Sequence, residues 1–312
     1  MNVSKKTLFA DLSLLMVALV WGATFVIVQN AIDLLPPIAF NGIRFLIAAL
    51  LLGTWLLIFE RKQLALFNKK LFLSGLIIGV WLFLGYATQT VGLLYTSSSK
   101  AGFITGLSVV LVPLFSFFLL KLHPNKNAIL GVSIATIGLY LLTMTDVTAL
   151  NQGDALVFIC AIGFALQIVF TGKYSSQFPS LLLTVVQIGT VAIFSIIYSL
   201  LFEDWKLALE PTIILSKEVL IALIVTSVFA TALAFFAQTN FQKFTTPTRV
   251  ALIFAMEPVF AAITGFIWAH DRLSFSAIFG CLLILAGMIF AELPATKLSL
   301  RQKRNQGDTL GM

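Results

Sequence analysis

Ten apolar stretches, each close to the length of a bilayer crossing, follow one another along this chain of 312 residues. They lie at about 11–30, 37–59, 71–92, 100–120, 128–145, 154–172, 180–202, 218–241, 248–268 and 274–292. A helix needs roughly 20 apolar residues to cross ~30 Å of hydrocarbon. A soluble core has no room for ten such segments. Residues are 59% hydrophobic and only 11% charged, whereas ordinary soluble domains carry about 25% charge. Lipid is therefore the solvent this composition fits. The runs are continuous rather than alternating, which argues against the strands of a membrane barrel. The expected fold class is an all-α polytopic membrane protein with ten transmembrane helices, arranged as two inverted five-helix repeats.

Loop charges set the expected orientation. With the N-terminus inside, fifteen Lys and Arg residues fall in cytoplasmic segments, from Lys5 and Lys6 to Arg301 and Arg304. Only Lys100, Lys206, Lys217 and Arg272 fall outside. The positive-inside rule then predicts two cytoplasmic termini in the cell inner (plasma) membrane. It also explains the net charge of +7 without nucleic acid as a partner. The first apolar run is long for a signal peptide and no small-x-small cleavage site follows it, so it is expected to stay as span 1. Cys160 and Cys281 are isolated and read as small packing residues, with no disulfide framework or metal spacing.

The two halves repeat each other. At an offset of 149, Gln89-Thr90 meets Gln238-Thr239, Thr96 meets Thr245, Lys100 meets Arg249, and Gly131 and Gly138 meet Gly280 and Gly287. Earlier in each half the offset is 143, where Trp21 meets Phe164, Pro36 meets Pro179 and Arg44 meets Gln187. Equivalent loops differ in charge: Arg61, Lys62, Lys69 and Lys70 lie in one, Glu203, Asp204, Glu210 and Glu218 in its partner. An odd number of spans per repeat inverts the second copy, the plan of transporters whose site lies at the repeat interface. The expected units are residues 1–146, residues 147–293 and a basic cytoplasmic tail at 294–312.

Several motifs carry a family likeness. Trp21-Gly22 sits in span 1 and Arg44-Phe45 in span 2. "YTSSSKAGFITG" (95–106) and "FTTPTRVALIFAMEPVFAAITG" (244–265) join spans 3–4 and 8–9, and "GVSIATIGLYL" and "GCLLILAGMIF" close each half. In these features the chain resembles the EamA group of the drug/metabolite transporter superfamily, over roughly 12–144 and 154–291. The resemblance implies ten helices, a monomer or weak dimer, and a small metabolite moved typically outward. Relatives move amino acids, related metabolites or drugs. Members often carry an acid after spans 4 and 9. Here Asp271 has Leu122 as its counterpart, and Glu257-Pro258 has Ser108-Val109.

Polar groups at membrane depth need a reason, because a central charge costs about 2.5–3.5 kcal/mol on insertion scales. Arg44 presents a fork suited to a substrate carboxylate; the alternatives are a structural ion pair or a snorkel to the helix end. Glu257 precedes Pro258, which removes a backbone donor and can break the helix. It is a candidate for binding or proton coupling, or a partner for Arg249 or Arg44. Lys100 and Arg249 are candidates for gating, as Pro258 is for a hinge. For the two cations the plainer reading is a snorkel to lipid phosphates. Gln89 and Gln238 either line one cavity about the pseudo-twofold axis or bond neighbouring helices. Asn41 and Gln187 carry the same alternatives. Trp21 and Tyr86 are candidate cavity aromatics, the alternative being packing or belt positions. Gly75-x-x-x-Gly79 and Gly102-x-x-x-Gly106 predict close helix approach.

No nucleophile elbow, phosphate-binding glycine loop or His-Cys-acid cluster is present, so neither an enzyme, a metal site nor a cofactor is expected. The expected function is a secondary transporter of small metabolites, exporting amino acids or related compounds by alternating access. A multidrug or nucleotide-sugar-like carrier is the alternative. A non-transporting scaffold or membrane enzyme is the reading from another class.

Overall fold

The structure, a computed structural model, describes residues 3–96, 98–143, 151–268 and 274–292. His270, Asp271, Arg272 and the basic tail at 294–312 lie outside the described residues. Helices run Val3–Ile32 (span 1), Pro37–Phe59 (span 2) and Lys69–Gly92 (span 3). Span 4 is Ser98–Gly106 continued by Ser108–Leu120, and span 5 is Lys126–Thr143. Spans 6 and 7 are Gln152–Tyr174 and Ser180–Phe202. Span 8 joins Lys217–Val225, Thr226–Leu233 and Ala234–Gln242. Span 9 joins Pro247–Phe254 and Glu257–Trp268, and span 10 is Phe275–Glu292. Among the described residues, nine of these are long and apolar enough to cross a membrane, while span 10 offers the shorter apolar helix Phe275–Ala291.

Local chemistry starts these helices where the sequence supplies a cap. The Asn68 side chain accepts the Leu71 N–H, and Ser216 and Thr246 do the same at spans 8 and 9. Span 6 opens with a reciprocal capping box between Asn151 and Asp154. Span 2 has no cap of its own. Its first free N–H groups, at Ile38 and Ala39, donate to the two Glu203 oxygens at 2.9 and 2.8 Å. A carboxylate from the loop after span 7 thus sits on the positive end of span 2.

Packing follows a pattern that survives exchange of the halves. Span 3 packs on span 6 as span 8 packs on span 1, and span 4 meets span 6 as span 9 meets span 1. Spans 2 and 7, 5 and 10, and 4 and 9 meet their own counterparts. Spans 5 and 10 touch at their glycines. A Cβ on Gly138 would lie 2.6 Å from the Gly280 carbonyl, and one on Gly131 2.5 Å from that of Gly287. This register is antiparallel, as inversion requires. Gly75 and Gly79 lie against Val186 and Thr190 of span 7, in keeping with close approach. Gly102 differs: nothing lies within 4 Å of its Cβ position, and only Gly106 of that pair meets a neighbour, Leu139.

Three spans are irregular. Spans 4 and 9 are broken, at Leu107 and at Ala255-Met256. Leu107 and Met256 are equivalent at the offset of 149. Span 9 has Pro258 beside its break and span 4 has Val109 there, so the break belongs to the repeat and not to that proline alone. Pro258 sits at the second position of its helix, where a missing N–H costs no helical bond. Span 8 carries a π-helical segment at Thr226–Leu233. Such turns are rare and gather at functional sites.

Candidate functional site

The broken and π-helical segments surround one constellation at the pseudo-twofold axis. Two aromatic contacts build it. Trp21 packs on Phe235 with centroids 5.4 Å apart, and Tyr86 packs on Phe164 at 5.2 Å. Trp21 and Phe164 are repeat equivalents, and so are Tyr86 and Phe235. The two contacts are therefore copies of one another. Tyr86 and Phe235 meet at 6.3 Å, Phe45 touches both, and Phe254 closes on Trp21 at 4.9 Å.

Arg44 enters this cage from span 2. It is 3% exposed, which sets aside the snorkel reading. Its guanidinium carbon lies 5.2 Å from the Tyr86 ring centroid and 5.5 Å from that of Phe45. Cation–π attraction of this kind is strongest where water is excluded. The Arg44 Nε donates to Thr231 Oγ1 at 2.6 Å and an Nη to the Ala230 carbonyl at 3.3 Å. The same carbonyl accepts the Trp21 indole N–H at 2.8 Å. The π-helix explains its availability. Ala234 N–H, which an α-helix would direct to Ala230, reaches back to Phe229 instead.

Glu257 begins the second segment of span 9, just beyond the break. It acts on Arg44 electrostatically without forming an ion-pair contact. Of its alternative partners, Arg249 holds Asp11 instead. Trp21, Tyr86, Gln89 and Glu257 each keep some accessible surface here. Arg44 is thus buried against the aromatic cluster, while Glu257 beyond the break of span 9 is partly accessible.

The remaining candidates divide. The Gln89 amide donates to Thr105 Oγ1 at 3.3 Å at the edge of the site. Its repeat mate Gln238 is 0% exposed. Both ends of that amide are engaged, with Gln167 and Gln242 at 3.1–3.4 Å. Of the two alternatives for this pair, Gln238 takes the bond to a neighbouring helix, knitting spans 6 and 8. Asn41 donates to Thr90 at 3.3 Å and Gln187 to Thr239 at 2.8 Å, both buried. Their Asn41 Oδ1 and Gln187 Oε1 atoms have no partner among the described residues.

The two repeat-related cations are not snorkelling. Lys100 Nζ lies 2.6 Å from Asp154 Oδ2, with the side chains 6% and 3% exposed. Arg249 holds Asp11 bidentately, at 3.0 Å from Nε and 2.5 Å from Nη2, with side chains 29% and 9% exposed. Each cation is held by a fixed carboxylate from the other half. Sequence reading missed both acids, which look like ordinary helix-start residues. The signal was present: Asp11 and Asp154 are themselves equivalent at the offset of 143. Among the described residues no group of three or more His, Cys, Asp or Glu is placed to hold a metal.

Comparison with known proteins agrees with this arrangement. The model of the EamA-like transporter family matches residues 8–144 and 151–293. An uncharacterized transporter of Archaeoglobus fulgidus is 35% identical over 92% of this chain and 87% of its own length. The uncharacterized transporter YoaV of Bacillus subtilis is 23% identical over 89% and 94%. A crystal structure that is 18% identical superposes with a TM-score of 0.75, covering 93% of this chain and 96% of that one. At that identity the likeness concerns the fold.

Proposed function

This chain belongs to the EamA-like transporter family and is a small-molecule transporter that crosses the membrane many times, and from that premise we propose that it exports amino acids or close relatives by alternating access. The observation that supports the reading is Arg44 packed on the Tyr86 and Phe45 rings with Glu257 within electrostatic reach of it. An amino acid carries a carboxylate and an ammonium group a few ångströms apart. Arg44 is the counterion for the first, through the bidentate geometry of a guanidinium. Glu257 is the counterion for the second. Trp21, Tyr86 and the phenylalanines accept the side chain, and aromatic faces also attract the ammonium. A charge separated from its partner by the width of a ligand is costly when the site is empty. Bridging by a zwitterion relieves that cost, which gives the ligand-bound state its advantage.

Transport then consists of rearranging the two halves around this fixed site. The broken spans 4 and 9 and the π-helical stretch of span 8 are the elements that bend. The bias of loop cations supports both termini lying on the cytoplasmic side of the plasma membrane. A monomer or weak dimer suffices, since each chain carries a complete site.

Radiolabelled counterflow in proteoliposomes tests the reading. Zwitterionic amino acids should exchange, and the same compounds lacking either the carboxylate or the amine should not. A folded preparation that moves none of a broad amino-acid panel overturns the substrate class. Movement of lipophilic cations alone would assign the aromatic cage and Glu257 to a drug carrier.

A further inference from the structure

The ion pairs at the two ends of the molecule form a set that the transport reading has not used. Asp11 and Asp154 are repeat equivalents, as are Lys100 and Arg249. Each pair crosses between the halves: Lys100 of the first half holds Asp154 of the second, and Arg249 of the second holds Asp11 of the first. Inversion puts them on opposite faces of the membrane. One pair ties span 4 to span 6, and the other ties span 9 to span 1.

The two pairs are not in the same state. Asp154 is gripped by Lys100 at 2.6 Å, in a buried contact, and by the Thr96 hydroxyl at 2.5 Å and the Asn151 N–H at 3.0 Å in part-buried ones. Asp11 is held bidentately by Arg249 at 3.0 and 2.5 Å, with side chains 9% and 29% exposed respectively. The repeat equivalent of Thr96 is Thr245. Its hydroxyl is buried and has no hydrogen-bond partner among the described residues. A buried hydroxyl left without a partner is unfavourable. The threonine–aspartate hydrogen bond made at the Lys100 end has no counterpart among the described residues at the other end.

We propose that Thr96–Asp154–Lys100 and Thr245–Asp11–Arg249 are reciprocal latches, one engaged through all three residues while the other keeps its ion pair and lacks its threonine contact. The structure is the Lys100-latched state. In an inverted repeat, the second state follows when each half adopts the conformation of the other. There Thr245 donates to Asp11, as Thr96 now donates to Asp154, and Thr96 loses its acceptor. Neither latch touches the central site, so Asp11, Asp154, Thr96 and Thr245 set which face is closed and not what is bound. This inference rests on the alternating-access reading above and adds the residues that alternate.

Distance measurements on the full chain in liposomes test it. Spin labels at Tyr95 and Gln152 report the Lys100 end. Labels at their repeat equivalents Phe244 and Phe9 report the other end, and all four positions are exposed. Asp154→Asn should increase the separated population at 95/152 and the close population at 9/244 by fivefold or more. That is the lower end of typical coupling between two sites. Asp11→Asn and Thr245→Val should each shift both pairs the opposite way. Should Asp154→Asn fail to fold, Thr96→Val removes one contact to the same carboxylate and serves the same arm. Shifts in one common direction, or none at either pair, overturn the latches. Reciprocal shifts in a protein that moves no amino acid uphold the latches and count against the substrate class alone.

Discussion

At the repeat axis the first half contributes Arg44 and Tyr86, where the second half contributes Gln187 and Phe235. In span 9 the second half contributes Glu257, where the first half has Ser108 in span 4. The aromatic scaffold is nearly the same on both sides, down to the copied ring contacts at 5.4 and 5.2 Å. The charges are not copied. Symmetry in the scaffold lets two conformations have similar energies, as alternating access needs. On the proposed reading, asymmetry in the charges gives one site one orientation for a ligand with two different ends. At the periphery the order is reversed. There the charged residues are copied faithfully, and the difference lies in how tightly each set is engaged.

Substitutions at equivalent positions break this comparison most directly. Arg44→Ala should lower exchange of carboxylated substrates by at least about a hundredfold, which is roughly 2.7 kcal/mol at 1.36 kcal/mol per tenfold. Gln187→Ala should cost less than about threefold, roughly 0.7 kcal/mol on the same scale. Arg44→Lys should recover little, because an ammonium lacks the bidentate fork. Similar losses at Arg44 and Gln187 in counterflow assays would show that the site is symmetric after all.

The carboxylate sharpens the same contrast. If export is coupled to protons, wild-type transport varies with pH and Glu257→Gln flattens that profile while leaving substrate binding measurable. Ser108→Ala should leave the profile unchanged. A Glu257→Gln protein that folds poorly but keeps the wild-type pH profile makes Glu257 a structural partner, and transport down a gradient becomes the better reading.

Smaller effects separate the latches and the glycines. Removing one partner of a buried ion pair costs about 3–5 kcal/mol, and Asp154 also holds the Thr96 hydroxyl and the Asn151 N–H. Asp154→Ala should therefore lower the thermal midpoint in detergent by several degrees more than Asp11→Ala. Equal shifts would mean that the two ends are equally engaged. Gly138→Ala pushes a methyl into the Gly280 backbone at 2.6 Å, an overpacking worth about 1–3 kcal/mol. Gly102→Ala meets open space and should stay within about 0.5 kcal/mol. A stability series that ranks Gly102 beside Gly138 would contradict the packing described for spans 4, 5 and 10.

Most of the architecture is readable without coordinates. Lipid as solvent requires each span to satisfy its own backbone hydrogen bonds and turn apolar atoms outward. The number of spans, their order and their inversion therefore follow from a one-dimensional pattern of hydropathy and a repeat offset. Arg44, Tyr86, Trp21 and Glu257 were also legible as candidates, because a polar or amphipathic group at that depth demands a reason.

Partner choice was decided elsewhere. Glu257 sits two helical turns from Arg249 in sequence, yet Arg249 bonds Asp11, 238 positions away. Lys100 and Arg249 look like snorkelling cations until spans 6 and 1 bring Asp154 and Asp11 against them. Gln89 and Gln238 are equals in the repeat, but packing buries one and leaves the other at the edge of the site. The Ala230 carbonyl has no side chain to advertise it, and only the π-helical turn frees it for Trp21 and Arg44. Hydropathy is a property of each residue in its solvent, so sequence carries it locally. Charge pairing and amide satisfaction depend on which helix faces lie within about 3 Å of each other, and that distance exists only once the helices have packed.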